Sequence, residues 1–174
     1  MKKNCILFII LLFSLSGYSQ TLVSGTFTLP EEEKYLGVSW NCSETVFENK
    51  YNETEWENLM GKEEWQQAKK EALVQIVMEM STKMEKSRIT LVKEGSDFQP
   101  GYTMYICPVK LNRKGDNKSF YVIINNATGE EVGRLRLGGD GGHFGSLANL
   151  LWDGYEEAAR KMGKYITSHN KTKR

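Results

Sequence analysis

The sequence predicts a single α+β domain, with a mainly antiparallel or mixed sheet of about five strands and two amphipathic helices on one face. Three observations predict this class. Most apolar segments alternate with the period of two that strands require, and two longer stretches repeat at spacings of three and four. Short turns rich in Gly and Asn join the later strands. Two helices on one face of a sheet bury all of these apolar surfaces together.

The 174-residue chain divides into four predicted segments. Residues 1–19 form a signal peptide, and residues 20–34 form an extended lead-in without helical periodicity. Residues 35–167 form the α+β domain, which has an ordinary size for one domain. Residues 168–174 form a basic flexible tail, because short charged termini are usually solvated.

The first segment has the three zones of an export signal. Lys2 and Lys3 precede an apolar run at residues 6–15, and small polar residues follow it. A membrane-spanning helix needs roughly 20 apolar residues, so this run predicts cleavage near Ser19/Gln20 and no permanent membrane anchor. The mature protein is therefore expected to be periplasmic or secreted.

The first strand is predicted at residues 35–47, because Leu36, Val38, Trp40 and Cys42 fall on one face. The next element is helical. Thr54 and Glu57 have the spacing of a capping box.

Gly61 is expected to interrupt this first short helix. A longer amphipathic helix then runs from Lys62 to about Met84, with apolar residues at helical spacing. The predicted strand at residues 88–94 comes after this helix, so it can lie parallel to the first strand.

The later strands are predicted at residues 102–111, 119–125 and 132–137, the last two forming a hairpin. Ser146 is a suitable N-cap for the closing helix. This helix carries a long apolar face, including Leu151, Tyr155, Ala159, Met162 and Ile166.

The Gly-rich loop at residues 138–145 is the most unusual stretch, since it joins a strand to a helix N-terminus, where anions often bind. Asp140 would repel an anion, and the Lys-Ser/Thr pair of a phosphate loop is missing. The alternative is that the glycines allow close backbone packing. The candidate ligand-binding residues of this loop are Gly139, Asp140, Gly141, Gly142, His143 and Ser146.

No catalytic motif predicts an enzyme. Asp140, His143 and Ser146 are the residue types of a hydrolase triad, but a triad is defined by geometry, and the G-x-S-x-G elbow is missing. His143 and His169 are far apart in sequence and no Cys-x-x-Cys occurs, so neither a metal nor a cofactor is expected.

Two cysteines remain after cleavage, Cys42 and Cys107. An oxidising compartment permits one disulfide between them, and the alternative is two thiols packed as small apolar groups.

The whole chain has 23 Lys and Arg residues against 22 Asp and Glu, and cleavage removes two of the lysines. A near-neutral domain argues against nucleic acid as the partner. The predicted strands also carry the aromatic residues Trp40, Tyr102, Tyr105, Phe120 and Tyr121. These could form a glycan- or protein-binding face, or ordinary core.

The turn at residues 125–132 (Asn-Asn-Ala-Thr-Gly-Glu-Glu-Val), the Gly-rich loop and the segment at residues 150–156 resemble small exported bacterial domains of the TolB N-terminal, curli-secretion-lipoprotein and penicillin-binding-protein-activator group. The chain differs in lacking a lipobox and in having Asn where the turn often has Asp. This resemblance implies an envelope protein that acts through contacts, and no functional residue is carried over from it.

The sequence therefore favours a non-enzymatic periplasmic or secreted interaction module with a protein partner in the cell envelope. The alternative is a small-ligand or glycan-binding domain that uses the loop at residues 138–145 or the sheet aromatics.

Overall fold

A seven-stranded mixed sheet packs one of its faces against two long helices in the computed structural model, which describes residues 21–172. The predicted signal peptide and the final two residues of the chain lie outside the described residues. The predicted α+β class and the single domain are confirmed. The sheet has more strands than the five expected.

The strands are defined in chain order. They are β1 (Thr21–Gly25), β2 (Tyr35–Trp40), β3 (Val46–Phe47), β4 (Thr90–Lys93), β5 (Tyr102–Leu111), β6 (Asn117–Asn125) and β7 (Glu131–Gly139). Their spatial order is β1-β7-β6-β5-β2-β4, with β3 paired to the end of β5. β2 runs parallel to β4 and β5, as the intervening helix predicts, and β5, β6, β7 and β1 are antiparallel.

The two additional strands have weak sequence signals. β1 is exposed along its whole length, so its residues show no alternation of buried and exposed positions. β3 has only two residues. It continues, after a polar break, the segment that the sequence predicts as one strand at residues 35–47.

The helices are α1 (Glu53–Met60), α2 (Lys62–Thr82) and α3 (Leu147–His169). Gly61 separates α1 from α2 with a φ of 89°, which an L side chain rarely adopts. α2 and α3 contact each other and the same face of the sheet. No helix among residues 21–172 combines the length and apolarity needed to cross a membrane.

The capping box of α1 uses different residues from those predicted. The side chain of Asn52 accepts a hydrogen bond from the Glu55 N–H at 3.0 Å, and the Glu55 carboxylate accepts one from the Asn52 N–H at 2.9 Å. The pair Thr54 and Glu57 has the same spacing, but Asn is at least as good an N-cap as Thr, and the helix begins two residues earlier.

The core lies between the sheet and the two long helices. The largest fully buried side chains include aromatic groups from β3, α1, α2, β6 and α3: Phe47, Trp56, Trp65, Tyr121 and Tyr155. The rings of Phe47 and Trp56 stack at 5.2 Å between centroids, and Trp65 meets Phe47 edge-on at 5.4 Å. Such aromatic pairs add to the stabilisation that burial alone provides.

The lead-in is fastened to the end of α3 by one buried amide, which we call the terminal clamp. The Asn170 Oδ1 accepts a hydrogen bond from the Leu29 N–H at 2.9 Å, and its Nδ2 donates to the carbonyls of Phe27 at 2.7 Å and Ile166 at 3.0 Å. The guanidinium of Arg88 donates to the same Oδ1 and to the Leu29 carbonyl. The phenyl ring of Phe27 and the side chain of Leu29 are buried in the core.

The prediction of a flexible tail at residues 168–174 is therefore wrong for its described part. α3 continues to His169, and Lys171 forms a β-bridge with Ser87. The Thr172 N–H donates a hydrogen bond to the Lys86 carbonyl oxygen at 3.1 Å. A polar residue near a chain terminus can be buried when its side-chain amide hydrogen-bonds to buried backbone groups, as the amide of Asn170 does.

Candidate binding surface

The face of the sheet opposite the two long helices carries a second set of apolar side chains. On β6, Tyr121 and Ile123 point into the core, so the alternation of a strand places Phe120, Val122 and Ile124 on the opposite face. Helices pack on only one side, so this second face is uncovered among residues 21–172.

Neighbouring strands complete a groove on this face. Tyr105 of β5 is in register with Val122, and Cys107 is in register with Phe120. The groove has a volume of about 450 Å³, and we call it the open-face groove. Its apolar floor and wall consist of Tyr105, Cys107, Val109, Phe120, Val122 and Ile124.

One side of the open-face groove is fixed by an ion pair. The guanidinium of Arg134 contacts the Glu131 carboxylate at 2.6 Å, and the Ser24 hydroxyl donates to the same carboxylate at 2.9 Å. Arg134 also lies over the Phe120 ring, 5.2 Å from its centroid. The ion pair lowers the pKa of Glu131 below its ordinary value, chiefly through the hydrogen bonds from Arg134.

The aromatic residues predicted to lie on strands divide between the two faces. The indole of Trp40 packs edge-on against Tyr155 and donates to the Lys69 carbonyl at 2.9 Å. Tyr102 also packs against the core, and Tyr121 is part of it. Only Tyr105 and Phe120 of this set line the open-face groove.

The Gly-rich loop is packed through its backbone rather than opened around a pocket. A Cβ on Gly139 would lie 2.2 Å from the Gly154 carbonyl oxygen of α3, and one on Gly141 would lie 1.6 Å from the Lys114 carbonyl oxygen. The Gly141 N–H donates to the Asp116 carboxylate at 2.7 Å. This geometry agrees with the close-packing alternative, and it occupies an N–H that an anion would otherwise use.

The tip of the same loop is exposed. Ser146 caps α3 by accepting a hydrogen bond from the Asn149 N–H at 3.3 Å. His143 is exposed, and Phe144 is 91% exposed. The chain has no group of three potential metal ligands among residues 21–172. Ligand binding by Gly139, Asp140, Gly141, Gly142, His143 and Ser146 stays a prediction.

Asp116, which accepts a hydrogen bond from the Gly-rich loop, is expected to make the stability of the protein dependent on pH. Hydrogen bonds from the Asn112 side chain and the Gly141 N–H lower the pKa of its carboxyl below the ordinary value. A lowered folded-state pKa stabilises the protein above the ordinary carboxyl pKa, and this contribution is lost as the pH falls through the folded value.

We therefore expect Asp116→Asn to reduce the loss of stability between about pH 5 and about pH 2. Urea unfolding at several pH values measures this slope. Asp97→Asn, at an exposed position, is the matched control and should leave the slope unchanged. Equal slopes in wild type and Asp116→Asn would contradict the assignment.

Cys42 and Cys107 are both free thiols. Cys42 belongs to the core, whereas Cys107 lines the open-face groove on the other side of the sheet. The structure thus shows the packed-thiol alternative and not the disulfide. Burial raises the pKa of Cys42 to about 12 and that of Cys107 to about 11, so neither is an activated thiolate.

No protein-family model matches this chain. No curated protein matches it either. Among solved structures, the chain is similar to the PelC dodecamer from Paraburkholderia phytofirmans, with 12% identity and a TM-score of 0.41 over 91% of this chain and 100% of that one. A single-substitution variant of that PelC dodecamer gives 11% identity and a TM-score of 0.42, over 88% of this chain and 99% of that one. The resemblance to the TolB N-terminal group stays a prediction.

Proposed function

We propose that this protein is an exported, non-catalytic interaction module that docks a partner protein of the cell envelope on its open-face groove. The observation that carries the proposal is the apolar floor of this groove, on a sheet face that no helix of residues 21–172 covers. Contiguous apolar surface on a soluble domain commonly marks an interaction site. Export rests on the sequence pattern of residues 1–19.

The shape and composition of the groove support a polypeptide partner. The aliphatic side chains of Val109 and Ile124 suit apolar side chains of another protein, and the groove floor also includes Val122, which is 5% exposed. Glycan sites instead use exposed aromatic ring faces. The groove is lined by two aromatic residues, Phe120 and Tyr105, and Arg134 already covers one face of the Phe120 ring.

Site-specific photocrosslinking in the producing cells tests this proposal. A photocrosslinking amino acid in place of Val109, which is 42% exposed beside the groove, is expected to give one discrete adduct of higher mass. The same amino acid in place of Met78, which is 64% exposed on α2, is the matched control and should give none.

A second position, Ile124, guards against an unfavourable geometry at residue 109. A discrete adduct at either groove position supports docking on this face, provided that the Met78 control lacks it. The same adduct at residue 78, or no discrete adduct at either groove position, would contradict the proposal.

A further inference from the structure

Positive charge is concentrated along two borders of the open-face groove. Lys110 and Lys118 lie directly opposite each other on β5 and β6, at one end of the groove. Arg136 is in register with Phe120, and Arg134 is in register with Val122, so both arginines run along the β7 side. Four cations therefore border a groove on a chain whose total charge is near zero.

Three of these cations lack a carboxylate partner among residues 21–172. Arg134 is paired with Glu131, but no ion pair involves Lys110, Lys118 or Arg136. Lys110 instead donates a hydrogen bond to the Asn49 side chain at 3.3 Å.

Like charges placed directly opposite on neighbouring strands destabilise a sheet. Lys110 and Lys118 therefore repel each other, and the Glu48 and Asp116 carboxylates that line the same small pocket form no ion pair with either lysine among residues 21–172. An opposite charge supplied from outside would relieve this repulsion. Two carboxylates line the groove: Glu131 is paired with Arg134, and Glu44 belongs to the turn between β2 and β3, beyond β5 from Arg136.

We infer that the partner segment bound in the open-face groove is acidic and amphipathic, with apolar side chains on the groove floor and carboxylates beside Lys118 and Arg136. This inference rests on the proposed function and adds the chemistry of the partner. Complementary charge of this kind sets specificity and the association rate more than the total affinity. The apolar floor supplies the remainder of the contact.

Three fluorescent peptides of about ten residues test the inference, since a segment of this length spans a groove on a sheet. In the first, leucine and valine alternate with glutamate. In the second, lysine replaces each glutamate, and in the third, serine does. Fluorescence anisotropy with the purified mature protein is expected to show the glutamate peptide binding about tenfold more tightly than the other two. Its affinity should fall as salt is raised, because exposed charges are screened.

Charge reversal on the protein identifies the residues responsible. The double variant Lys118→Glu with Arg136→Glu should lose about tenfold or more in affinity for the glutamate peptide and gain affinity for the lysine peptide. Lys62→Glu with Lys70→Glu changes the net charge equally, at exposed positions on α2, and should leave the affinities unchanged. Both double variants retain exposed side chains at the altered positions, and thermal unfolding checks that they fold.

The other outcomes would overturn the inference in distinguishable ways. If the serine peptide binds as tightly as the glutamate peptide, the cations take no part, and docking on the groove still stands. If no peptide binds while the Val109 adduct forms, the partner's chemistry is different. If the linear polyuronate polygalacturonate binds and the glutamate peptide does not, the groove recognises a glycan. If the photocrosslinked adducts at Val109 and Ile124 are also absent, the proposed function itself is contradicted.

Discussion

Replacing Asn170 with alanine is expected to lower the free energy of unfolding by about 3 kcal/mol, because buried backbone groups lose their hydrogen-bond partners. The amide of Asn170 is 1% exposed and bonds to the Leu29 N–H and to the Phe27 and Ile166 carbonyls. Each buried group left unsatisfied costs roughly 1–3 kcal/mol. Urea or guanidinium unfolding of the mature protein measures the change.

The control for this variant is Asn149→Ala, an exposed asparagine on the same helix. Its expected change is within about 0.5 kcal/mol. Asn170→Asp keeps the acceptor but turns a carboxylate oxygen towards the Phe27 and Ile166 carbonyls, so it should destabilise the protein at least as much as Asn170→Ala at neutral pH. If Asn170→Ala is as stable as Asn149→Ala, the terminal clamp does not hold the lead-in.

Gly154→Ala is expected to destabilise the protein by about 2 kcal/mol, against the ordinary preference of a helix. Alanine in a helix is normally more favourable than glycine by about 1 kcal/mol. At this position a Cβ would lie 2.0 Å from the Gly115 carbonyl oxygen, so α3 must move away from the turn before β6. Thermal and denaturant unfolding give the sign as well as the size of the change.

Gly129→Ala separates a steric clash from backbone strain. Gly129 has a φ of 74° and no atom within 4 Å of an added Cβ, so only the left-handed conformation opposes alanine there. This strain costs about 1 kcal/mol.

A stabilising effect of Gly154→Ala, comparable with its helix propensity, would show that α3 does not depend on the close contact with Gly115.

The elements with strong local signals could be predicted from the sequence. β5 begins and ends at the predicted residues, and Ser146 caps α3 as its residue type indicates. The Gly61 break and the parallel pairing of β2 and β4 also follow the prediction. In each case the deciding interactions are close in sequence, or topology leaves one simple arrangement.

The missed features depend on contacts between distant residues. β1 shows no buried face, so nothing local distinguishes it from an extended linker, and it is a strand only because β7 pairs with it. Asn170 has the composition of a solvated terminus, and its burial follows from Phe27 and Leu29, more than 140 positions earlier. Local patterns contain no information about such partners.

The candidate surface was predicted in outline. Two helices on one face leave the other face uncovered, and alternation then places Tyr105 and Phe120 there. Alternation alone could not show that Trp40 packs against Tyr155. It also could not show that Lys110 and Lys118 meet, because their register depends on the irregularity between Pro108 and Lys110.

The terminal clamp also determines the order in which the domain can be completed. Its hydrogen bonds join positions separated by 141 and 143 residues, so they close almost the longest loop available in the domain. Contacts of such high sequence separation form late, after most of the chain entropy has been lost. In a chain that emerges N-terminus first, β1 can pair with β7 earlier, but the backbone groups of Phe27 and Leu29 lack these partners until the end of α3 arrives.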